Sequence, residues 1–288
     1  VGEPQRLVEL LRAFMRLARI EHSVLLAVAV LIGEIVVVGR PPILSSFFGA
    51  LSVFCIGVGS FTLNDFLDYK TDKKNKRKDR PLITGDISLW AAITAAKVSL
   101  PLGVLFALLV NMQCFAIALI FAVFAVLYSY YLKKVMLAGN IFIAFSMAVP
   151  FVYGNFIVSS QIDSILFLLV SMAFLTGLGR EIIKSIQDMA GDKKYGRRTM
   201  PIVAGKKLSS YFAAYYLFLA IVLSPLPFLV MTKFYENWLY MGPVIVTDVI
   251  LLAAAYYALK LRKLERARKI TLLALGIGLA GFLLGALF

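Results

Sequence analysis

Half of the sixteen acidic residues fall in two short stretches: Asp65, Asp68, Asp72, Asp79 and Asp86 in one, Glu181, Asp188 and Asp192 in the other. On a helix, Asn64, Asp65, Asp68 and Asp72 recur every three to four residues and stack on one face, as do Glu181, Lys184, Asp188 and Asp192. Stacked carboxylates repel one another, and at a helix C-terminus they also meet the negative end of the dipole. A cation must compensate. Neighbouring lysines could do so in a solvated, salt-bridged helix end. The sharper alternative is Mg²⁺, a hard cation that takes one or two carboxylates and completes its shell with water and substrate phosphate oxygens.

The second stretch repeats the first. Adding 120 to the numbering carries Asp68 to Asp188, Asp72 to Asp192, Lys73 to Lys193, Lys74 to Lys194, Arg77 to Arg197, Pro81 to Pro201 and Gly85 to Gly205. All of these share one gap-free register, whereas Asn64 and Asp65 become Lys184 and Ser185. Lysine-rich loops resemble one another by composition, but composition does not hold a register. Two acid clusters flanked by Lys and Arg suit a ligand that is both metal-bound and polyanionic, which describes a diphosphate. The rest of that ligand should be apolar, because of the chain that carries the clusters.

That chain is 288 residues long, 61% hydrophobic, with a mean hydropathy of +0.87. It is too apolar for a soluble domain, and its apolar stretches are long uninterrupted runs, which selects membrane-spanning helices over strands. About nine spans are expected, at 21–39, 43–64, 88–110, 114–132, 136–158, 163–180, 209–231, 239–259 and 270–288. The fold class is therefore an all-α polytopic membrane bundle around a central cavity. It forms one domain over 1–288, built on a parallel internal repeat whose copies centre on 61–85 and 181–205. The first span lacks the cleavage pattern of a signal peptide.

A net charge of +14 could suggest nucleic acid, but nine spans place every basic residue except Arg40, Lys97 and Lys233 on one side. That is the positive-inside pattern, and no nucleic-acid partner is needed. It puts the N-terminus and both acid motifs in the cytoplasm, and the C-terminus outside the plasma membrane. Cys55 and Cys114 lie in separate apolar runs and read as packing residues. His22 reads as an interfacial residue, and Lys97 as either a functional or a snorkelling lysine. Glu34 and Asp248 are expected near the external ends of their spans, partly solvated.

The motifs Asn64-Asp65-x-x-Asp68-x-x-x-Asp72, Arg80-Pro81-Leu82 with Gly85, and Asp188-x-x-x-Asp192 with Gly196, Thr199 and Gly205 closely resemble the two signatures of the UbiA superfamily of intramembrane prenyltransferases. Tyr128-Ser129-x-x-Leu132-Lys133, followed by Gly139-Asn140, is similar to that family's middle segment. Arg180-Glu181-Ile182-Ile183-Lys184 resembles its archaeal digeranylgeranylglyceryl phosphate synthases, while Arg19-Ile20-Glu21-His22-Ser23 is similar to some quinone-pathway members, and Ser185 departs from the acid expected of an ether-lipid enzyme.

The resemblance implies Mg²⁺-dependent transfer of a geranylgeranyl group from its diphosphate to geranylgeranylglyceryl phosphate. A 4-hydroxybenzoate- or naphthoate-type aromatic acceptor is the alternative. Asn64, Asp68 and Asp72 would bind one Mg²⁺ and Asp188 and Asp192 a second, with Asp65 in support and the diphosphate bridging both ions. Lys133, Lys184, Lys193, Arg80, Arg197, Tyr128 and Asn140 would meet the diphosphate. A transporter is the remaining class, but it predicts inverted repeats with polar groups near the midplane, rather than a parallel repeat with its acids at one face.

Overall fold

The computed structural model describes residues 3–74, 77–231 and 233–288; Lys76 lies outside these, and the Arg6 side chain outside the described side chains. In chain order the helices are α1 (Glu3–Leu17), α2 (Ile20–Val38), α3 (Ile43–Lys74), α4 (Pro81–Thr84), α5 (Leu89–Leu108), α6 (Met112–Tyr130) and α7 (Ala138–Val158). They continue with α8 (Ser164–Lys194), α9 (Met200–Ala204), α10 (Lys206–Leu223), α11 (Leu226–Val230), α12 (Trp238–Leu259) and α13 (Leu264–Leu287). Among the described residues there is no strand, and nine segments are long and apolar enough to cross a membrane, with α10 and α11 counting as one span interrupted at Pro225.

Helix length decides where the acids sit. A hydrocarbon layer of about 30 Å takes roughly 20 helical residues. With 32 residues in α3 and 31 in α8, each helix overruns that layer by roughly ten residues. The overruns carry Asp65–Asp72 and Asp188–Asp192, so both acid runs are helical to their ends. After each, the chain turns and starts a short helix with a proline in its first turn, Pro81 in α4 and Pro201 in α9.

The chain divides into two compact units, one holding residues up to Val30 with Ile43–Tyr130, the other Leu31–Pro42 with Tyr131–Phe288. In the first, α3 packs on α5 and α6. Small residues permit the α3–α5 approach: a Cβ on Gly103 would lie 2.8 Å from the Ser52 carbonyl oxygen and 2.7 Å from Ile56. Helix α1 seats Ala13 and Leu17 against Leu82 of α4, Ile87 and Ala92. It leaves Leu7, Leu11, Phe14 and Met15 exposed in a stripe, the pattern of a helix lying in a membrane interface. In the second unit α8 is central, packed on α7, α10 and α13. Ile182, Ile183 and Ile186 of α8 share a core with Leu217 of α10 and with Ala267 and Ala274 of α13. Lys233, in the loop before α12, donates to the carbonyls of Ile35 and Val36 at 3.0 and 2.6 Å. It thus caps the end of α2, and burial pushes its ammonium pKa down.

Some residues sit differently from their expected places. Glu34 is fully buried (0% exposed) rather than partly solvated, because the face of α2 that carries it turns into the protein, which a uniformly apolar run does not reveal. Asp248 lies midway along α12, half-buried, where its Oδ2 accepts a 2.6 Å hydrogen bond from Ser224. Lys97 is exposed on α5. Cys55 and Cys114 are free and buried.

The close α3–α5 approach gives a stability test. Gly103→Ala should lower the melting temperature in detergent, costing about 1–3 kcal/mol by overpacking. Gly276→Ala on α13, where a Cβ would meet nothing within 4 Å, should leave it unchanged.

Candidate active site

At the end of α3, Asp65 is only 3% exposed and is held from two directions. Arg80 Nη1 donates to both of its oxygens at 2.6 Å, and Arg19 Nη2 donates to Oδ1 at 3.0 Å. Arg19 closes α1 with a left-handed backbone (φ 45°) and lies 5.0 Å over the Phe61 ring. A non-glycine residue in that region is strained, and the ion pair with Asp65 helps to hold it there. Arg80 also approaches Asp72, its Nε 3.7 Å from Oδ2, an ion pair too long for a hydrogen bond. In the Arg80-Pro81-Leu82 motif, then, the arginine clamps two carboxylates, the proline opens α4 and the leucine anchors α4 on α1.

Asp65 was expected as a supporting metal ligand and Arg80 as a diphosphate contact. In this structure each is engaged by the other, since a buried carboxylate needs a partner more than an exposed one does. Asp68 and Asn64 are half-buried beside them and Asp72 is buried. In the following loop Arg77 donates twice to Asp79, both at 2.9 Å, which holds the Asp79 carboxyl well below its usual range, at about 2.

At the end of α8, Asp192 is buried and accepts a 3.1 Å hydrogen bond from Arg197 Nη1, while Asp188 is exposed. The helix ends the same way in both copies of the repeat: Arg197 N donates to the Asp192 carbonyl at 3.0 Å, and Arg77 N to the Asp72 carbonyl at 3.1 Å. Two turns earlier on α8, buried Glu181 accepts from Arg180 at 2.8 Å and from Lys184 at 3.2 Å. Asn140 of α7, expected to meet substrate, instead donates to the Glu181 carbonyl (3.0 Å) and to Ser185 Oγ (2.8 Å), tying α7 to α8. Arg197, expected on the diphosphate, is paired with Asp192. Tyr128 and Lys133 are half-buried around the end of α6, and Lys193 is exposed.

Among the described residues no three His, Cys, Asp or Glu side chains converge on a metal-sized site. The donor set is instead one carboxylate pair four residues apart at each helix end, Asp68 with Asp72 and Asp188 with Asp192. That set fits Mg²⁺, which retains waters and phosphate oxygens and uses only one or two carboxylates per ion. Arg19 and Arg180, both central to these ends, were legible beforehand only as members of sequence motifs.

The UbiA prenyltransferase family matches residues 25–285. The digeranylgeranylglyceryl phosphate synthase of Archaeoglobus fulgidus is 38% identical over 286 residues, covering 96% of each chain. A solved structure of a digeranylgeranylglyceryl phosphate synthase in membranes superposes with a TM-score of 0.77 at 31% identity, covering 97% of this chain and 99% of that one. The fold is shared with a UbiA homologue from Archaeoglobus fulgidus bound to DMAPP and Mg²⁺, with a TM-score of 0.66 at 19% identity over 93% of this chain and 98% of that one.

The Asp65 clamp can be tested by a double-mutant cycle. Arg80→Gln should destabilise the protein by about 1.5–3 kcal/mol, because it leaves the buried carboxylate with Arg19 as its remaining cationic partner. Adding Asp65→Asn should recover much of that loss, and thermal unfolding of the four proteins measures the coupling.

Proposed function

Since the chain belongs to the UbiA prenyltransferase family, we propose that it transfers a geranylgeranyl group from its diphosphate to geranylgeranylglyceryl phosphate, making an ether of archaeal membrane lipid. The observation that carries the chemistry is the recurrence of one carboxylate pair, Asp68/Asp72 and Asp188/Asp192, at the ends of two overlong helices. The choice of a lipid acceptor over an aromatic one rests on the similarity to digeranylgeranylglyceryl phosphate synthases along the whole chain.

In this reading Asn64, Asp68 and Asp72 would hold one Mg²⁺ and Asp188 and Asp192 a second. Bound there, magnesium neutralises charge on a leaving diphosphate. Lys133 and Lys193 would add cationic stabilisation as the allylic C1–O bond breaks and its electron pair goes to the diphosphate, whereas Lys184 is held by Glu181. The acceptor hydroxyl oxygen forms the new bond to C1, and its proton leaves with the diphosphate. The helices shield the allylic cation from water. The protein is an integral membrane protein. We further propose that its N-terminus and both acid-bearing ends face the cytoplasm and its C-terminus the exterior of the plasma membrane, on the distribution of basic residues.

Asp68→Asn and Asp192→Asn should each lower turnover by at least about a hundredfold, the scale of losing a principal electrostatic stabiliser, while melting temperatures stay near wild type. Chelation of Mg²⁺ should abolish the reaction and its re-addition restore it. Near-wild-type turnover in either variant would contradict the two-metal arrangement.

A further inference from the structure

One cluster near the end of α8 exceeds what a metal-diphosphate site requires. Arg180 is 9% exposed, and its Nε is buried without a hydrogen-bond partner. Its Nη1 pairs with Glu181, which is also buried, and Lys184 pairs with the other oxygen of the same carboxylate. Arg268 follows Ala267 of α13, which shares the core with Ile182 and Ile183 of α8, so this turn of α13 lies beside the turn of α8 that carries Arg180 and Glu181. Two cations thus hold one carboxylate, and the neighbouring turn of α13 carries a third. Glu181 offsets only one of these positive charges, so the cluster attracts a further anion.

The cluster has no counterpart in the other half of the repeat. At an offset of 120, Arg180, Glu181 and Lys184 correspond to Ser60, Phe61 and Asn64, whereas the aspartates of the diphosphate motifs are duplicated. A ligand bound once, and distinct from the one addressed by both motifs, suits a feature present once. Glu181 also precedes Asp188 by seven residues, two turns, on the same face of α8, which places the cluster about 10 Å deeper along the helix.

We propose that Arg180, Lys184 and Arg268 seat the phosphomonoester of the acceptor, an inference that rests on the lipid-acceptor reading above. A dianionic phosphate meets the excess charge, and guanidinium groups bind its oxygens in a fork. Glu181 is a positioning residue that holds Arg180 and Lys184 apart and oriented. The separation from Asp188 leaves room for the glycerol carbons, with the hydroxyl about 3–3.5 Å from the donor carbon at attack. An aromatic acceptor without a phosphate would not need the third cation.

The test is steady-state kinetics on the full-length protein with Mg²⁺, geranylgeranyl diphosphate, and either geranylgeranylglyceryl phosphate or its dephosphorylated form, geranylgeranylglycerol. Arg268→Gln should raise the KM for the phosphorylated acceptor roughly tenfold or more. It should leave the donor KM unchanged and shrink the preference for the phosphorylated acceptor; Arg268→Lys should restore part of that preference. If Arg268→Gln fails to fold, Lys184→Gln, at a side chain 40% exposed, should show the same acceptor-specific loss. A rise in the donor KM alone, or an undiminished preference for the phosphorylated acceptor, overturns the assignment while leaving the prenyl-transfer reading in place. A wild type that makes no product from the phosphorylated acceptor overturns both.

Discussion

Carboxylates stacked at the C-terminal end of a helix oppose one another and the helix dipole at once, and the polar ends of α3 and α8 are organised around meeting that charge. The protein does so partly with its own cations. Asp65 is taken up by Arg19 and Arg80, Arg80 leans on Asp72, and Asp192 is covered by Arg197. Asp68 and Asp188 lie toward the more accessible side of these runs. In the proposed function a divalent ion arriving with a polyanion would add the charge still missing, and the diphosphate would meet the surrounding lysines.

The internal ion pairs also explain how helix ends rich in like charge stay folded. Arg80 serves α3 from the start of α4, so the same residue neutralises buried acid and closes the turn that returns the chain to the membrane. Arg19 serves it from a strained position at the end of α1, coupling the amphipathic N-terminal helix to the acid-bearing end. In the second unit, the bond from Arg197 N to the Asp192 carbonyl reproduces the one from Arg77 N to Asp72, so the duplicated sequence carries duplicated backbone geometry. What differs is the depth at which positive charge is concentrated: around Asp65 in one unit, and around Glu181 with Arg180 and Lys184 in the other.

Hydropathy located the spans because a bilayer admits only helices or closed barrels, and long uninterrupted apolar runs suit the helix. The three-to-four spacing of Asp65, Asp68 and Asp72 stacks them on one face only if the helix runs past the apolar span, and the structure shows α3 reaching Lys74 and α8 reaching Lys194, beyond the expected span ends at 64 and 180. Partnerships between distant residues were not legible. Arg19 and Asp65 are separated by 46 positions, and no local period connects them. Arg268 read as one charge among many in a basic loop, until packing of α13 on α8 brought its turn of helix beside that of Ile182 and Ile183. The burial of Glu34 escaped notice because α2 is apolar on every side, so no stripe marks which face turns inward. The family resemblance implied that Asn140 and Arg80 would face a ligand; in the structure Asn140 fastens α7 to α8 and Arg80 neutralises buried acid, partnerships that no motif displays.

The central claim is that this chain joins a prenyl group to a phosphorylated lipid alcohol. The most direct measurement is product analysis by mass spectrometry of the purified protein with Mg²⁺ and geranylgeranyl diphosphate, offered geranylgeranylglyceryl phosphate and 4-hydroxybenzoate together. The account predicts the diether phosphate as the product, with no prenylated benzoate. Accumulation of the prenylated aromatic in its place would contradict it.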